Sequence, residues 1–206
     1  VLTSGDANTA IGYQAGLETT IGDNNIYIGY RAAYRTANLN NQHNVFIGYY
    51  AGSGDWTSNF SQRNTAVGSL SMEGAMNSAM ENTAVGYRAL NAITTADSNT
   101  AIGVDCGDEL TDGHNNVAIG AATLGTSTSV GFATAVGQQA MGSGDVTAAA
   151  DGTVAIGYQA LRSLTSGAGN LAVGSEALEL ITTGTRNIAI GEHAGTALST
   201  TGATDN

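Results

Sequence analysis

The side chains able to do chemistry in this chain are few and dispersed. Asp105, Asp108, Glu109 and Asp112 place four carboxylates within a single short stretch, and hard cations such as calcium take oxygen ligands of this type. Their spacing fits no EF-hand loop, and the Gly-Gly-x-Gly-x-Asp nonapeptide of calcium-binding β-rolls is absent. A solvated acidic turn is the expectation. His43, His114 and His193 form no His-x-His or His-x-x-x-His pair, so a zinc site has no support. No serine or cysteine lies in a Gly-x-Ser-x-Gly setting. Cys106, the only cysteine, falls among small residues and reads as a packed side chain, neither nucleophile nor half of a disulfide. No catalytic residue, metal ligand or cofactor is expected.

Binding has better candidates. Tyrosine recurs in one setting, at Tyr13, Tyr30, Tyr49, Tyr87 and Tyr158, where it serves either as a sugar-stacking face or as a half-wet packing ladder. Nine of the twelve aromatic residues lie in the first sixty positions. Among them Tyr49, Tyr50, Trp56 and Phe60 are the expected surface binding aromatics, because Trp56 and Phe60 sit in an insertion; the same loop would otherwise fold back over a coil edge. Thr-Thr pairs at 19–20, 94–95, 182–183 and 200–201 raise an ice-binding array, but Leu39-Asn40-Asn41 and other interruptions break it.

These residues hang on a repeat. Eleven glycines, Gly12, Gly29, Gly48, Gly68, Gly86, Gly103, Gly120, Gly137, Gly157, Gly174 and Gly191, each follow Ile or Val. The commonest interval, as from Gly86 to Gly103 and on to Gly120, sets a period of seventeen. Two positions before the glycine stands Ala, with Tyr27 and Phe46 as exceptions. Four before it stands Asn, replaced only by Ala133 and Thr153; three after it comes a small residue every time. Short fixed-period self-similarity specifies a stacked architecture. The recurring β-branched residue is expected to form an apolar ladder inside the stack. Glycine after it admits a restricted backbone angle or close chain approach. Asn suits a turn of left-handed geometry and, stacked, an amide ladder. The regular unit is then a strand from Asn to Gly, a short second strand and a Thr-rich return. A helix over 175–180 is the rival for one segment, but the stretch between Gly174 and Gly184 is too short for it. The fold expected is all-β: a parallel β-roll or β-solenoid of about eleven 17-residue coils, one repeat array over residues 1–206.

Composition agrees. The 206 residues include 29 glycines, no proline and no lysine. A continuous hydrogen-bond ladder excludes proline, which cannot donate to it. The net charge of −11, with six arginines against seventeen carboxylates, argues against nucleic acid as a partner and disfavours an anionic membrane surface. No stretch approaches the ~20 apolar residues of a membrane span. Neither end shows a capping repeat, so a segment of a longer fibrous chain is expected.

Asn-Thr-Ala-Val-Gly-Tyr-x-Ala-Leu, at residues 82–90 and nearly again at 8–16 and 153–161, resembles repeats of bacteriophage tail fibres. It is also similar to the Ala-Ile-Gly repeats in the heads of YadA-type trimeric autotransporter adhesins, whose unit is shorter. The longer unit here leans toward phage fibres. The resemblance implies a homotrimer of parallel β-rolls packed about one axis, non-catalytic, attaching a virion to a host glycan or protein receptor. A bacterial cell-surface adhesin or extracellular filament is the alternative. One thin ladder per coil is too little core for an isolated chain, and the small Ala columns are expected to let the three rolls lean together. Ile-Gly-x-x-Ala also resembles one unit of the hexapeptide repeat of left-handed β-helix acyltransferases. That family needs three units per coil, and the single unit per lap found here makes a monomeric β-helix enzyme the weaker reading.

Overall fold

The computed structural model describes residues 5–19, 21–36, 41–56 and 60–198. The opening turn at 1–4, Thr20, 37–40, 57–59 of the first insertion and the closing turn from 199, with the pair at 200–201, lie outside them. Eleven three-residue strands, β1 (Thr9–Ile11) through β11 (Ile188–Ile190), form one parallel sheet in strict chain order. Every pairing joins equivalent residues of successive coils, as in Thr83↔Thr100, Ala84↔Ala101 and Val85↔Ile102. The chain is a parallel β-solenoid about 48 Å long at ~4.8 Å per coil.

Among the described residues the expected second strand after the glycine does not form. A chain of turns closes each coil, yet the ladder continues through it: Arg88 N–H donates to the Ser69 carbonyl of the coil before, and Leu90 N–H to the Cys106 carbonyl of the coil after. Reaching both neighbours requires left-handed backbone, adopted by 29 non-glycine residues among those described. They recur mainly two and four positions after the anchor glycine and five before it. Each costs roughly 1–2 kcal/mol intrinsically, and most of them donate a ladder hydrogen bond to a neighbouring coil that offsets it. Residues 175–180 follow this turn path and form no helix. The one helical element among the described residues is the 3-10 turn Ala148–Ala150, inside the second insertion.

The anchor glycine satisfies both demands placed on it. At Gly86 φ is +140°, and a Cβ would lie 2.2 Å from the carbonyl oxygen of Gly103 in the next coil. No side chain fits such a gap.

The interior differs from expectation. Strand residues alternate faces, and the inward one is the central Ala, buried in Ala66, Ala84, Ala101, Ala118, Ala135, Ala155 and Ala172. The Ile/Val rung therefore points out, with Ile102 39% and Ile190 70% exposed. The core is built instead from Ala, from the small column after the glycine (Ala89, Cys106 and Ala160 are all buried) and from bulk supplied by the turns. Leu90, Leu124, Met141, Leu161 and Leu178, four after the glycine, and Ile93, Leu110, Leu164 and Ile181, seven after it, are buried. The alanine columns accordingly pack within one chain and are not available for contact between chains.

Where Tyr27 and Phe46 replace the central Ala, the turn residue facing the ring is glycine: Gly16 in the coil before Tyr27, and Gly52 in the coil of Phe46. A Cβ on Gly16 would lie 2.9 Å from the Tyr27 ring, and one on Gly52 2.6 Å from Phe46. Trp56 closes this segment, its ring edge-on to Phe46 at 5.7 Å.

Asn lines the opposite wall, buried. Each Oδ1 accepts the backbone N–H and the Nδ2 of the next coil's Asn, as Asn82 does from Asn99 at 3.0 Å for both. Each Nδ2 also donates to a next-coil carbonyl, as Asn82 does to Ala96 at 2.8 Å. The left-handed residue is the one before Asn, such as Ser98 with φ 58°; Asn itself serves the amide ladder. The ladder breaks once, at Ala133 and Thr153, where the coil is lengthened, Ala150 is tucked inside and the buried Thr153 hydroxyl has no partner.

Candidate functional site: a bare sheet face and an aromatic groove

The outward side of the strands is the largest regular surface of the molecule. Three columns run along it: the first strand residue, the Ile/Val rung and the residue after glycine. Of these 33 positions only Glu192 is charged, in a chain of net charge −11. Ile26, Val117 and Ile188 lie in the first column, and Tyr13, Tyr30, Tyr49, Tyr87 and Tyr158 in the third; all are more than a third exposed. The face measures about 48 Å by about 13 Å, roughly 600 Å² in projection. The Ile/Val rungs run down it as an exposed apolar stripe, a feature that marks interaction surfaces. Parallel sheets are ordinarily covered on both faces, and this one is covered on one.

Beside the face, the aromatic-rich coils form a groove. Tyr13, Tyr30 and Tyr49 stack at 5.3 and 5.4 Å, and Tyr50 meets Tyr49 edge-on at 4.7 Å. Arg31 is caged between them: Nε donates to Gln14 Oε1 at 2.7 Å, Nη1 donates to the Tyr50 hydroxyl, and the guanidinium lies 4.7 Å from the Tyr34 ring centre. Arg35 holds Asp55 at 3.0 Å, and Glu73 accepts from Asn91 across the groove at 3.3 Å. The groove is open to solvent, with a volume of about 510 Å³, within the range of small-ligand sites.

The four aromatics singled out from sequence do not form one site. Tyr49 and Tyr50 join the tyrosine stack; Phe60 is exposed elsewhere on a return turn. Trp56 is 2% exposed and fills the interior, packed edge-on against the inward Phe46. It is not a surface aromatic. Arg31, Tyr34, Arg35 and Glu73 went unnoticed, although two of only six arginines falling within the tyrosine-rich stretch was a visible signal.

The other candidates resolve simply. Arg88 of the preceding coil sits 3.4 Å from Asp105 and 3.1 Å from Asp108, so two of the four carboxylates are offset by one cation. Burial raises the Asp108 carboxyl, and Arg88 opposes that. His193 contacts Glu176 at 3.1 Å, and His114 Nδ1 accepts the Asp97 N–H at 3.0 Å. Burial pushes the Cys106 thiol up to about 12, which removes it as a nucleophile at neutral pH. Thr94 and Thr165 hydroxyls donate to carbonyls of the next coil and present no flat array. Among the described residues no helix is long and apolar enough to cross a membrane.

The fold and surface define a class: a single-sheet parallel β-solenoid with one face, charged only at Glu192, left bare. The chain matches no protein-family model, no curated protein and no solved structure.

Proposed function

We propose that this chain is a structural segment of a homotrimeric extracellular fibre, non-catalytic, whose three copies pack through their outward sheet faces about a common axis. The observation that carries this is the bare face itself. Eleven Ile/Val rungs in register, flanked by Thr, Val, Ile and Tyr, are costly to leave in water at about 25 cal/mol per Å². A threefold arrangement covers all three faces at once and leaves the acidic return turns outside. With no charge on the rungs, contact needs no compensation by buried ion pairs. The repeat supports a phage tail fibre, on the virion and in host attachment; a bacterial surface adhesin or filament is the second reading, held by the same repeat.

Sedimentation of the isolated chain tests the assembly. The particle should have three times the chain mass of 20.7 kDa. Val85→Asp with Ile102→Asp, in adjacent rungs, returns it to monomer with the β signal of circular dichroism retained. A wild-type monomer at micromolar concentration refutes the proposal. Antibody labelling of purified phage particles against bacterial surface fractions separates the two readings.

A further inference from the structure

We infer that the groove between Tyr34, Tyr50 and Glu73 binds a neutral saccharide. This names the ligand class for the attachment role above and rests on that reading for its biological setting, although the groove is formed within one chain.

The chemistry follows from what lines it. Arg31 and Arg35 bring two positive charges, Asp55 and Glu73 two negative ones, so the groove has no net charge to select an ion. Its polar atoms are held but not exhausted. Arg31 commits Nε and Nη1 to Gln14 and Tyr50, leaving N–H bonds of Nη2. Glu73 gives Oε2 to Asn91, leaving Oε1 as an acceptor. On the floor Ser53 is 4% exposed and its hydroxyl has no partner. Donors and acceptors therefore alternate around one cavity, the pattern that vicinal hydroxyls satisfy, since each hydroxyl both gives and accepts. Tyr50 supplies an aromatic surface for the apolar faces of a sugar ring. The Tyr34 and Tyr50 rings are themselves fixed by the Arg31 cage, so little side-chain freedom is lost on binding. A volume of about 510 Å³ suits one or two sugar units. A phosphate or nucleotide gains no net attraction there, because Asp55 and Glu73 offset Arg31 and Arg35.

Saturation-transfer NMR on the full chain with maltose, lactose and diacetylchitobiose, and with glucuronic acid as the charged control, tests this. At least one neutral disaccharide should bind with Kd on the order of 1 mM, the level expected of an open single site. Tyr34→Ala and Glu73→Gln should each weaken it tenfold or more, and Phe132→Ala, an exposed aromatic outside both the groove and the sheet face, should leave it unchanged. All variants are scored only with wild-type circular dichroism, and Glu73→Gln keeps side-chain shape if Tyr34→Ala does not fold. Binding of glucuronic acid alone, no transfer to any neutral sugar, or binding indifferent to both groove substitutions overturns the inference. A trimer that binds no sugar removes the groove and leaves the fibre reading; a monomer that binds sugar does the reverse.

Discussion

Replacing Asn99 with alanine asks how much of this solenoid rests on its buried amide ladder. Asn99 Oδ1 accepts the Asn116 backbone N–H at 3.0 Å and the Asn116 Nδ2 at 2.9 Å. Its Nδ2 donates to Asn82 Oδ1 at 3.0 Å and to the Gly113 carbonyl at 2.8 Å. Alanine deletes all four bonds. Asn82 Oδ1 keeps the residue-99 N–H, and Asn116 Nδ2 keeps the Val130 carbonyl. The Asn116 N–H, one Asn116 amide proton and the Gly113 carbonyl are stripped inside a wall that water does not reach. At about 1–3 kcal/mol for each buried orphan, with partial relaxation, the loss is about 3–6 kcal/mol. For a chain of this size that lowers Tm by roughly 6–24 °C. Thermal unfolding followed by circular dichroism measures it, and hydrogen exchange should show the Asn116 amide losing protection before those of distant coils. Gln138→Ala on the exposed face, expected within ~0.5 kcal/mol of wild type, is the control. An Asn99→Ala protein melting within about 2 °C of wild type would refute the ladder's energetic role.

Gly103→Ala should destabilise by about 3 kcal/mol or more, since its Cβ would lie 2.3 Å from the Gly120 oxygen at φ +146°. Gly152→Ala, at φ +72° with nothing within 4 Å, should cost only about 1 kcal/mol. Melting temperatures of the pair separate close approach from backbone angle. Phe46→Ala should cost about 3–5 kcal/mol and Gly52→Leu should clash with the ring, whereas the double variant restores the Ala-plus-Leu pattern of other coils. A double-mutant cycle by urea unfolding should give a coupling of about 2 kcal/mol, and additivity would contradict the packing described. The Cys106 thiol has its folded value raised to about 12 from an ordinary 9.0. Its contribution is fully present below pH 9 and is lost as pH rises, because the unfolded chain ionises first. Between pH 7 and 10 wild type should lose about 1.4 kcal/mol more than Cys106→Ala; equal losses would show that the folded thiol titrates normally.

Much of this fold was legible because its determinants recur. Gly after a β-branched residue, the Asn column and the absence of proline each state a local requirement, and eleven copies make it unmistakable. The direction of the strands was not legible. Alternation says that Ala and Ile/Val face opposite ways, but not which way is in, and hydrophobicity alone favours Ile. The deciding information lies four residues beyond the glycine, where Leu90, Leu124 and Leu161 already fill the interior and leave room only for Ala. The exchange of Tyr27 against Gly16, and of Phe46 against Gly52, was the clue in the sequence that the central strand position points inward. Trp56 reads as a surface residue for a similar reason: its loop looks like an excursion, but its ring turns inward to pack edge-on against Phe46. The groove depends on residues from separate coils, such as Arg31 and Glu73, which no single repeat displays.

Because successive coils meet residue for residue, with no stagger to reconcile, any seventeen-residue lap can be excised or duplicated between equivalent glycines without altering the joints on either side. The molecule is in that sense graduated like a ruler. Each added lap extends it by ~4.8 Å, and reach becomes a matter of counting copies.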